Sequence, residues 1–336
     1  MPVSPAFAFP VLVADIGGTN ARFAVVEADG DGFRDLGRTP TAAHSDPVAA
    51  IRDFVLPRLA TPPRSAVLAV AAPIEGDVIP FTNCPWVLEP RRLVAELGLE
   101  TVAAMNDFAA QALSLPVLGP ADEVAIGSGR RRDGATRVVV GPGTGLGVAL
   151  LVHAGGTWVP VPGEGGHVSF APDGAREEAI WHALAEDHGR VCAETVISGG
   201  GLVRLETAIR RIDGLAPLDR DPAAVVAAAD AGEPSADEAL DVFVAALGRF
   251  AGDLALLALP HGGVHIAGGI PPRILPRLAA GRFRAAFEDK PPYRDLMAGF
   301  ATSVMVHPAP ALLGLAAWAR RPDRFAFDLE GRLWTA

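Results

Sequence analysis

The stretch VLVADIGGTNARFAVVE, Val11 to Glu27, reads as an apolar strand that stops at Asp15 and two glycines and then becomes strand again. Gly17, Gly18 and Thr19 separate two runs rich in β-branched and aromatic residues, which predicts a hairpin. The familiar phosphate loops lead from a strand into a helix instead. A glycine turn in a hairpin nevertheless gathers several backbone N–H groups at one concave point, a nest for anions. Asp15 is then the odd residue, because a carboxylate beside a phosphate is repelled unless a cation lies between them. Asp15 reads either as a ligand of Mg²⁺, direct or through water, or as a turn-stabilising aspartate.

The same design returns in TRVVVGPGTGLGVALLV, Thr136 to Val152. Gly143-Thr144-Gly145 follows Gly17-Gly18-Thr19 by about 126 residues, a period too long for a solenoid. The two turns are read as equivalent points in the halves of a duplicated architecture, and a pair of such hairpins on facing lobes would hold a polyphosphate.

Half of the 336 residues are apolar, enough for two domains with separate cores. The formal charge is 29 minus 39, or -10, and the arginines are scattered, so there is no electrostatic footprint for nucleic acid. Tyr293 is the only tyrosine and the tryptophans form no stripe, so a stacking platform for single strands is also unsupported. Cys84 and Cys192 are too few and too distant for a disulfide framework or a thiolate zinc site, which fits the cytoplasm. The start, MPVSPAFAFP, lacks a basic segment and reads as a leader into the first strand rather than a signal peptide. Apolar runs such as VFVAALGRFAGDLALLAL carry charges, here Arg249 and Asp253, so no membrane span is expected. Lys290 is the only lysine and sits in FEDKPPYRD, far from any glycine loop. Walker-type loops and protein kinases both place a lysine on the phosphates, so a nucleotide bound here must rest on backbone amides and a metal.

Coarse patterning places a helix over Asp46 to Leu59 with Pro47 in its first turn, a buried strand in SAVLAVAAPI from Ser65, and a proline-broken edge strand in GDVIPFTNCPWVL. A strand ends near Met105 and a helix begins at Phe108. Helices are expected over Glu177 to His188, Ala193 to Arg211 and Ala236 to Leu259, with a polar, proline-containing stretch from Asp213 to Ser235. GGVHIAGGI is a strand meeting a third glycine turn at Gly268 and Gly269, and a closing helix starts at Ala311. No low-complexity linker separates the halves, and the boundary is placed near Pro116 to Asp122.

Asn106 and Asp107 leave an apolar strand where a helix starts, which suits a helix cap and equally a general base facing a substrate hydroxyl. Glu164 and His167 are bracketed by Gly163, Gly165 and Gly166, where the backbone can crowd a ligand. His182 and His188 do not share a helix face, which leaves a zinc site short of ligands. Glu194, in VCAETVISGGG, is a further acid beside apolar residues, also suited to a helix start. Together these side chains hydrogen-bond a polyhydroxylated neutral molecule, a sugar better than an acid.

In this order, ADIGGTNARFA, MNDFAAQAL, GPGTGLGVALLV, PGEGGHVSFAP and HIAGGIPPR resemble the bacterial glucokinases of the hexokinase, actin and heat-shock-chaperone ATPase superfamily. The resemblance runs from about Val11 to Ala319. It implies an α/β protein of the two-lobed actin-like ATPase (ribonuclease H-like) fold, with a duplicated βββαβα core and a central cleft. The small lobe would comprise residues 1–117 and about 308–336, the large lobe residues 118–307. It implies ATP-dependent phosphorylation of glucose at the 6-hydroxyl. By motif, Asp15, Gly17, Gly18, Thr19 and Asn20 would form the first phosphate loop, with Asp15 toward Mg²⁺, and Gly143, Thr144 and Gly145 the second. Gly268 and Gly269 would lie near the adenosine. Asp107 would be the base, and Asn106, Glu164, His167 and Glu194 would hold the sugar. A homodimer is expected. The related repressor, open-reading-frame and kinase family often carries a cysteine-rich zinc motif after its glycine-histidine segment, and VSFAPDGAREEAI has no cysteine, so no structural zinc is expected. The alternatives are a kinase for another hexose or using polyphosphate, and a non-catalytic sugar-sensing regulator. The tail beyond Arg321, PDRFAFDLEGRLWTA, has no assigned role.

Overall fold

The structure, a computed structural model, describes residues 5–336 other than 73, 75, 82, 83 and 327. The first four residues of the apolar leader, one proline of SAVLAVAAPI, Thr82 and Asn83 of the proline-broken segment and Phe327 of the tail lie outside the described residues. The strands are β1 (Val11–Ile16), β2 (Asn20–Val26), β3 (Arg34–Pro40), β4 (Ser65–Val70), β5 (Ile79–Pro80), β6 (Val87–Leu88), β7 (Thr101–Asn106), β8 (Glu123–Ile126), β9 (Arg137–Pro142), β10 (Leu146–Ala154), β11 (Thr157–Gly163), β12 (Val264–Ile266), β13 (Thr302–Met305) and β14 (Leu333–Thr335). The chain divides into two compact units. One comprises Met1–Gly119, Leu151–Pro162 and His307–Ala336, and the other Pro120–Leu150 and Gly163–Val306.

In the first unit a six-stranded sheet runs β14-β7-β4-β1-β2-β3. The opening stretch is the hairpin its glycines predict: β1 pairs antiparallel with β2, and on its other side parallel with β4, which pairs parallel with β7. β1 and β4 read as near-continuous apolar runs because parallel strands are covered on both faces. Leu12, Ile16, Phe23, Ile51, Leu68 and Trp86 form one core there, all fully or almost fully buried. Asp46 caps the helical turns that follow, its Oδ1 accepting the Ala49 N–H at 2.9 Å with Pro47 at the first position. GDVIPFTNCPWVL contributes β5 and β6, a two-stranded ribbon.

The tail has a structural role that its sequence does not announce. β14 pairs antiparallel with β7 and becomes the sheet's edge strand, with Trp334 opposite Val102. Trp334 is 3% exposed, and its Nε1–H donates to Asp77 Oδ1 at 2.6 Å. A bare β7 edge would otherwise present unpaired backbone groups.

A second six-stranded sheet runs β11-β10-β9-β12-β13-β8, with β9, β12 and β13 parallel and β8 antiparallel to β13, and of its strands β8, β9, β12 and β13 belong wholly to the second unit. The plan repeats that of the first sheet. In each, a three-strand meander joined through a glycine turn is followed by two parallel strands and closed by an antiparallel edge strand. The helices Gly174–His188, Gly199–Ile212, Pro234–Ala258 and Arg282–Glu288 pack over a core that includes Phe243, Phe250, Phe283 and Phe287.

Two expectations are corrected in this unit. The helix expected over Ala193 to Arg211 is two, Ala193–Val196 and Gly199–Ile212. Ser198 stops one and caps the other: its Oγ donates to the Glu194 carbonyl at 2.8 Å and accepts the Gly201 N–H at 2.9 Å. The polar stretch after Asp213 contains a helix, Pro222–Asp230, started by Asp221 as cap and Pro222 at the first position. Among the described residues no helix is long and apolar enough to cross a membrane.

Candidate active site

The turn between β1 and β2 is closed by the Gly17 N–H donating to the Asn20 carbonyl at 3.0 Å. It is buttressed by Thr41, at the end of β3. The Thr41 Oγ1–H donates to the Gly18 carbonyl at 2.8 Å, and its N–H donates to the Thr19 carbonyl at 3.0 Å. Sequence reasoning missed Thr41; its only signal is a threonine next to a strand-ending proline.

Strand register puts this turn and the Asn106-Asp107 pair at one edge of the sheet. Ile16 is opposite Val70, and Val70 is opposite Asn106. With strands about 4.8 Å apart, Ile16 and Asn106 lie ~10 Å apart across β4, at the carboxyl ends of three parallel strands. Open α/β sheets bind ligands at that edge. Asn106 is the cap of the helix Asp107–Ser114: its Oδ1 accepts from the N–H groups of Phe108 at 2.9 Å and Ala109 at 3.2 Å. Asp107 occupies the first helical position, half-buried, with Oδ1 2.9 Å from the Phe108 nitrogen. The helix is held by the C-terminal helix Pro310–Arg320, where a Cβ on Gly314 would fall 1.9 Å from the Ala110 carbonyl oxygen. Only glycine permits this backbone approach.

Asp15 sits on β1 opposite Arg22. Burial pushes its carboxyl up to about 6, and the Arg22 guanidinium offsets only part of that rise. Arg22 is shared, since it also donates to the Asp35 carboxylate and, at 2.6 Å, to the Pro308 carbonyl. Asp15 is therefore a half-buried anion lacking full charge compensation.

In the second unit Glu194 and Gly166 meet at the backbone of Leu146, just after the second glycine turn. Gly143 N–H donates to the Gly145 carbonyl at 2.8 Å and closes that turn. The Leu146 N–H donates to Glu194 Oε2 at 2.8 Å. The Leu146 carbonyl faces Gly166, where a Cβ would lie 2.2 Å away, and Gly165 is pressed on Val148. The Gly199 N–H donates to the Gly143 carbonyl at 2.8 Å. Gly268, with φ +87°, brings the third glycine turn onto the same place: a Cβ there would be 2.3 Å from the Pro142 carbonyl oxygen.

The segment GEGGHVSF is laid beside Glu194 by backbone pairing. The Ala193 N–H donates to the Val168 carbonyl at 3.0 Å, and Phe170 N–H to the Val191 carbonyl at 3.1 Å. Glu164 and His167 project at the surface, with side chains 72% and 54% exposed and Oε2 to Nε2 at 3.9 Å. Arg190, unremarked in the sequence, donates to the His167 carbonyl at 2.8 Å and fixes that loop. Burial would raise the neighbouring Cys192 thiol, but hydrogen bonds from Thr195 and His167 outweigh it and hold the thiol below its ordinary range. Among the described residues no group of three or more His, Cys, Asp or Glu side chains could hold a metal ion.

Each unit thus presents an amide-rich glycine turn, with a carboxylate-bearing helix start near it in the first and a carboxylate hydrogen-bonded to it in the second. The family model described as Glucokinase matches residues 12–322. A glucokinase of Sinorhizobium fredii is 46% identical over 329 residues, covering 98% of this chain and 97% of that one. The crystal structure of a glucokinase from an Antarctic psychrotroph is 33% identical, with a TM-score of 0.83 over 93% of this chain and 99% of the other. A ROK family glucokinase from Streptomyces griseus, solved in complex with glucose and AMPPNP, is 20% identical and shares the fold, with a TM-score of 0.62 over 93% and 99%. The fold is that of the two-lobed actin-like ATPases, and the chain belongs to the glucokinase family.

Proposed function

We propose that this protein transfers the terminal phosphoryl group of ATP to the 6-hydroxyl of D-glucose, with Asp107 as the general base. The observation that supports this reading is the register of the first sheet, which puts Asp107 and the Asp15–Asn20 turn at one carboxyl edge. A proton acceptor and an anion nest lying ~10 Å apart leave room for a hydroxymethyl group and the phosphate it attacks.

The turn-closing bonds use the N–H groups of Gly17 and Gly143. Phosphate contacts fall to the amides beyond them, at Gly18, Thr19, Asn20, Thr144 and Gly145, with Gly268 and Gly269 toward the adenosine. Asp15 suits Mg²⁺ held directly or through water, because a half-buried carboxylate with a raised pKa gains from a cation beside it. When bound with ATP, Mg²⁺ neutralises charge on the phosphates. Phosphoryl transfer is loose and asks mainly for positioning and charge stabilisation, so Asp107 aligns the hydroxyl and accepts its proton late. Since the Asn106 oxygen is committed to the helix, its amide NH₂ faces the sugar. Glu164, His167 and Glu194 hold the remaining hydroxyls.

Residues 1–117 with 308–336 act in this reading as the lobe carrying the base, and residues 118–307 as the lobe carrying most of the sugar contacts. The enzyme works in the cytoplasm as a homodimer without structural zinc; light scattering and metal analysis test the last two points. The decisive assay is ADP release across a panel of hexoses, paired with polyphosphate-dependent turnover. Fast, glucose-selective, ATP-dependent turnover is expected. Turnover confined to another hexose or to polyphosphate refutes the assignment.

A further inference from the structure

We infer that Glu194 is a positioning residue shared by the two substrates: one carboxylate oxygen holds the second glycine turn while the other receives a sugar hydroxyl. Sugar binding is thereby coupled to nucleotide binding inside the second unit. The inference rests on reading Glu194 as a sugar ligand and Gly143–Gly145 as a phosphate cradle.

The short segment Glu194–Gly199 grips the turn at both ends. Glu194 Oε2 accepts the Leu146 N–H, and the Gly199 N–H reaches the Gly143 carbonyl, each at 2.8 Å. The grip is itself stiffened: Ser198 Oγ–H donates to the Glu194 carbonyl at 2.8 Å, and Arg204 Nε–H to the Thr195 carbonyl at 2.9 Å. The carboxylate comes so close that a Cβ on Gly145 would lie 2.5 Å from Oε2. Gly145 has no positive φ, and the Glu194 carboxylate fills the space that a side chain there would take.

Glu194 is half-buried rather than sealed in the core. A carboxylate has two oxygens with about four acceptor sites, so Oε1 can take a sugar hydroxyl without releasing Leu146. A sugar bonded to Oε1 fixes the χ angles of Glu194, and through Oε2 the turn that the amides of Thr144 and Gly145 occupy. Ordering the turn ahead of the nucleotide lowers the entropy lost when phosphate binds, which appears as positive cooperativity.

The experiment measures dissociation constants calorimetrically for glucose alone, for Mg-AMPPNP alone, and for Mg-AMPPNP at saturating glucose. It compares native protein with Glu194→Gln, Glu194→Ala and Gly145→Ala, after circular dichroism confirms folding. In the native protein glucose should tighten AMPPNP binding. Glu194→Ala should weaken glucose and, without any sugar present, also AMPPNP by about tenfold, the worth of a hydrogen bond to a charged group. Gly145→Ala should weaken glucose by displacing the carboxylate, although residue 145 belongs to the phosphate turn. Glu194→Gln keeps an oxygen for Leu146, so it should retain sugar-free AMPPNP affinity while losing glucose affinity and coupling; it tests the idea even if the alanine variants misfold. Weakened glucose with nucleotide affinity and coupling untouched in the Glu194 variants overturns the shared role and leaves the sugar reading standing. Unchanged glucose affinity in both Glu194 variants removes Glu194 from the sugar site instead.

Discussion

Replacing Asp15 with asparagine should make the protein more stable and less active, and the size of the gain should depend on pH. The Asp15 carboxyl is pushed from 3.8 up to about 6, first by burial, with Arg22 pulling partly back. The folded state therefore holds the proton more tightly than the unfolded chain. Ionised Asp15 costs nothing below pH ~4, costs progressively more as pH rises to about 6, and is fully penalised above that. At about 1.4 kcal/mol per pKa unit, a shift of roughly two units amounts to about 3 kcal/mol at pH 7.5. That figure already includes the attraction to Arg22; asparagine removes the charge but remains a polar group in a half-buried position, so a net gain of about 1–2 kcal/mol is expected, or several degrees in Tm for a unit of this size. Thermal melts of both proteins should coincide near pH 4 and separate by pH 7.5, with the variant melting higher. Mg-ATP should raise the Tm of the native protein more than that of the variant, and kcat should fall in the variant. Equal Tm differences at the two pH values would show that no burial penalty exists at Asp15. A variant with full activity would remove the residue from the phosphate site.

Asp107→Ala should fold normally, because Asn106 caps the helix, and should lose on the order of 10²-fold or more in kcat; unimpaired turnover would mean another residue is the base. Glu164→Gln should raise the KM for glucose with a smaller change in kcat, and an unchanged KM would leave Glu164 without a sugar contact. Trp334→Ala, which empties a buried position on the added edge strand, should cost about 3 kcal/mol or more in denaturant unfolding. A loss under about 1 kcal/mol would make the tail dispensable to the first sheet.

The glycine turns were legible from the chain because their requirements are local: hairpins need tight turns, and Asp15, Gly17 to Asn20 and Gly143 to Gly145 stand between apolar runs in any sequence read-out. The duplication was legible for the same reason, since the strand-turn-strand pattern recurs within a single stretch of each half. The chain marks Asn106 and Asp107 as a pair that suits both a cap and a base, and the hydrogen bonds of the helix start make Asn106 the cap. The break at Ser198 escaped because helical periodicity continues through it; the pairing of Gly199 with Gly143 comes from a segment more than fifty residues away. The role of the tail is not legible in the chain because a three-residue strand carries almost no pattern of its own, and its pairing with β7 crosses more than two hundred residues. Only tertiary structure reveals the crowding around Leu146, where Gly145, Gly166 and Glu194 meet. Sequence records that a side chain is absent at such glycines. What occupies the vacated space is a question of distance, and distances between remote segments exist only once the chain has folded.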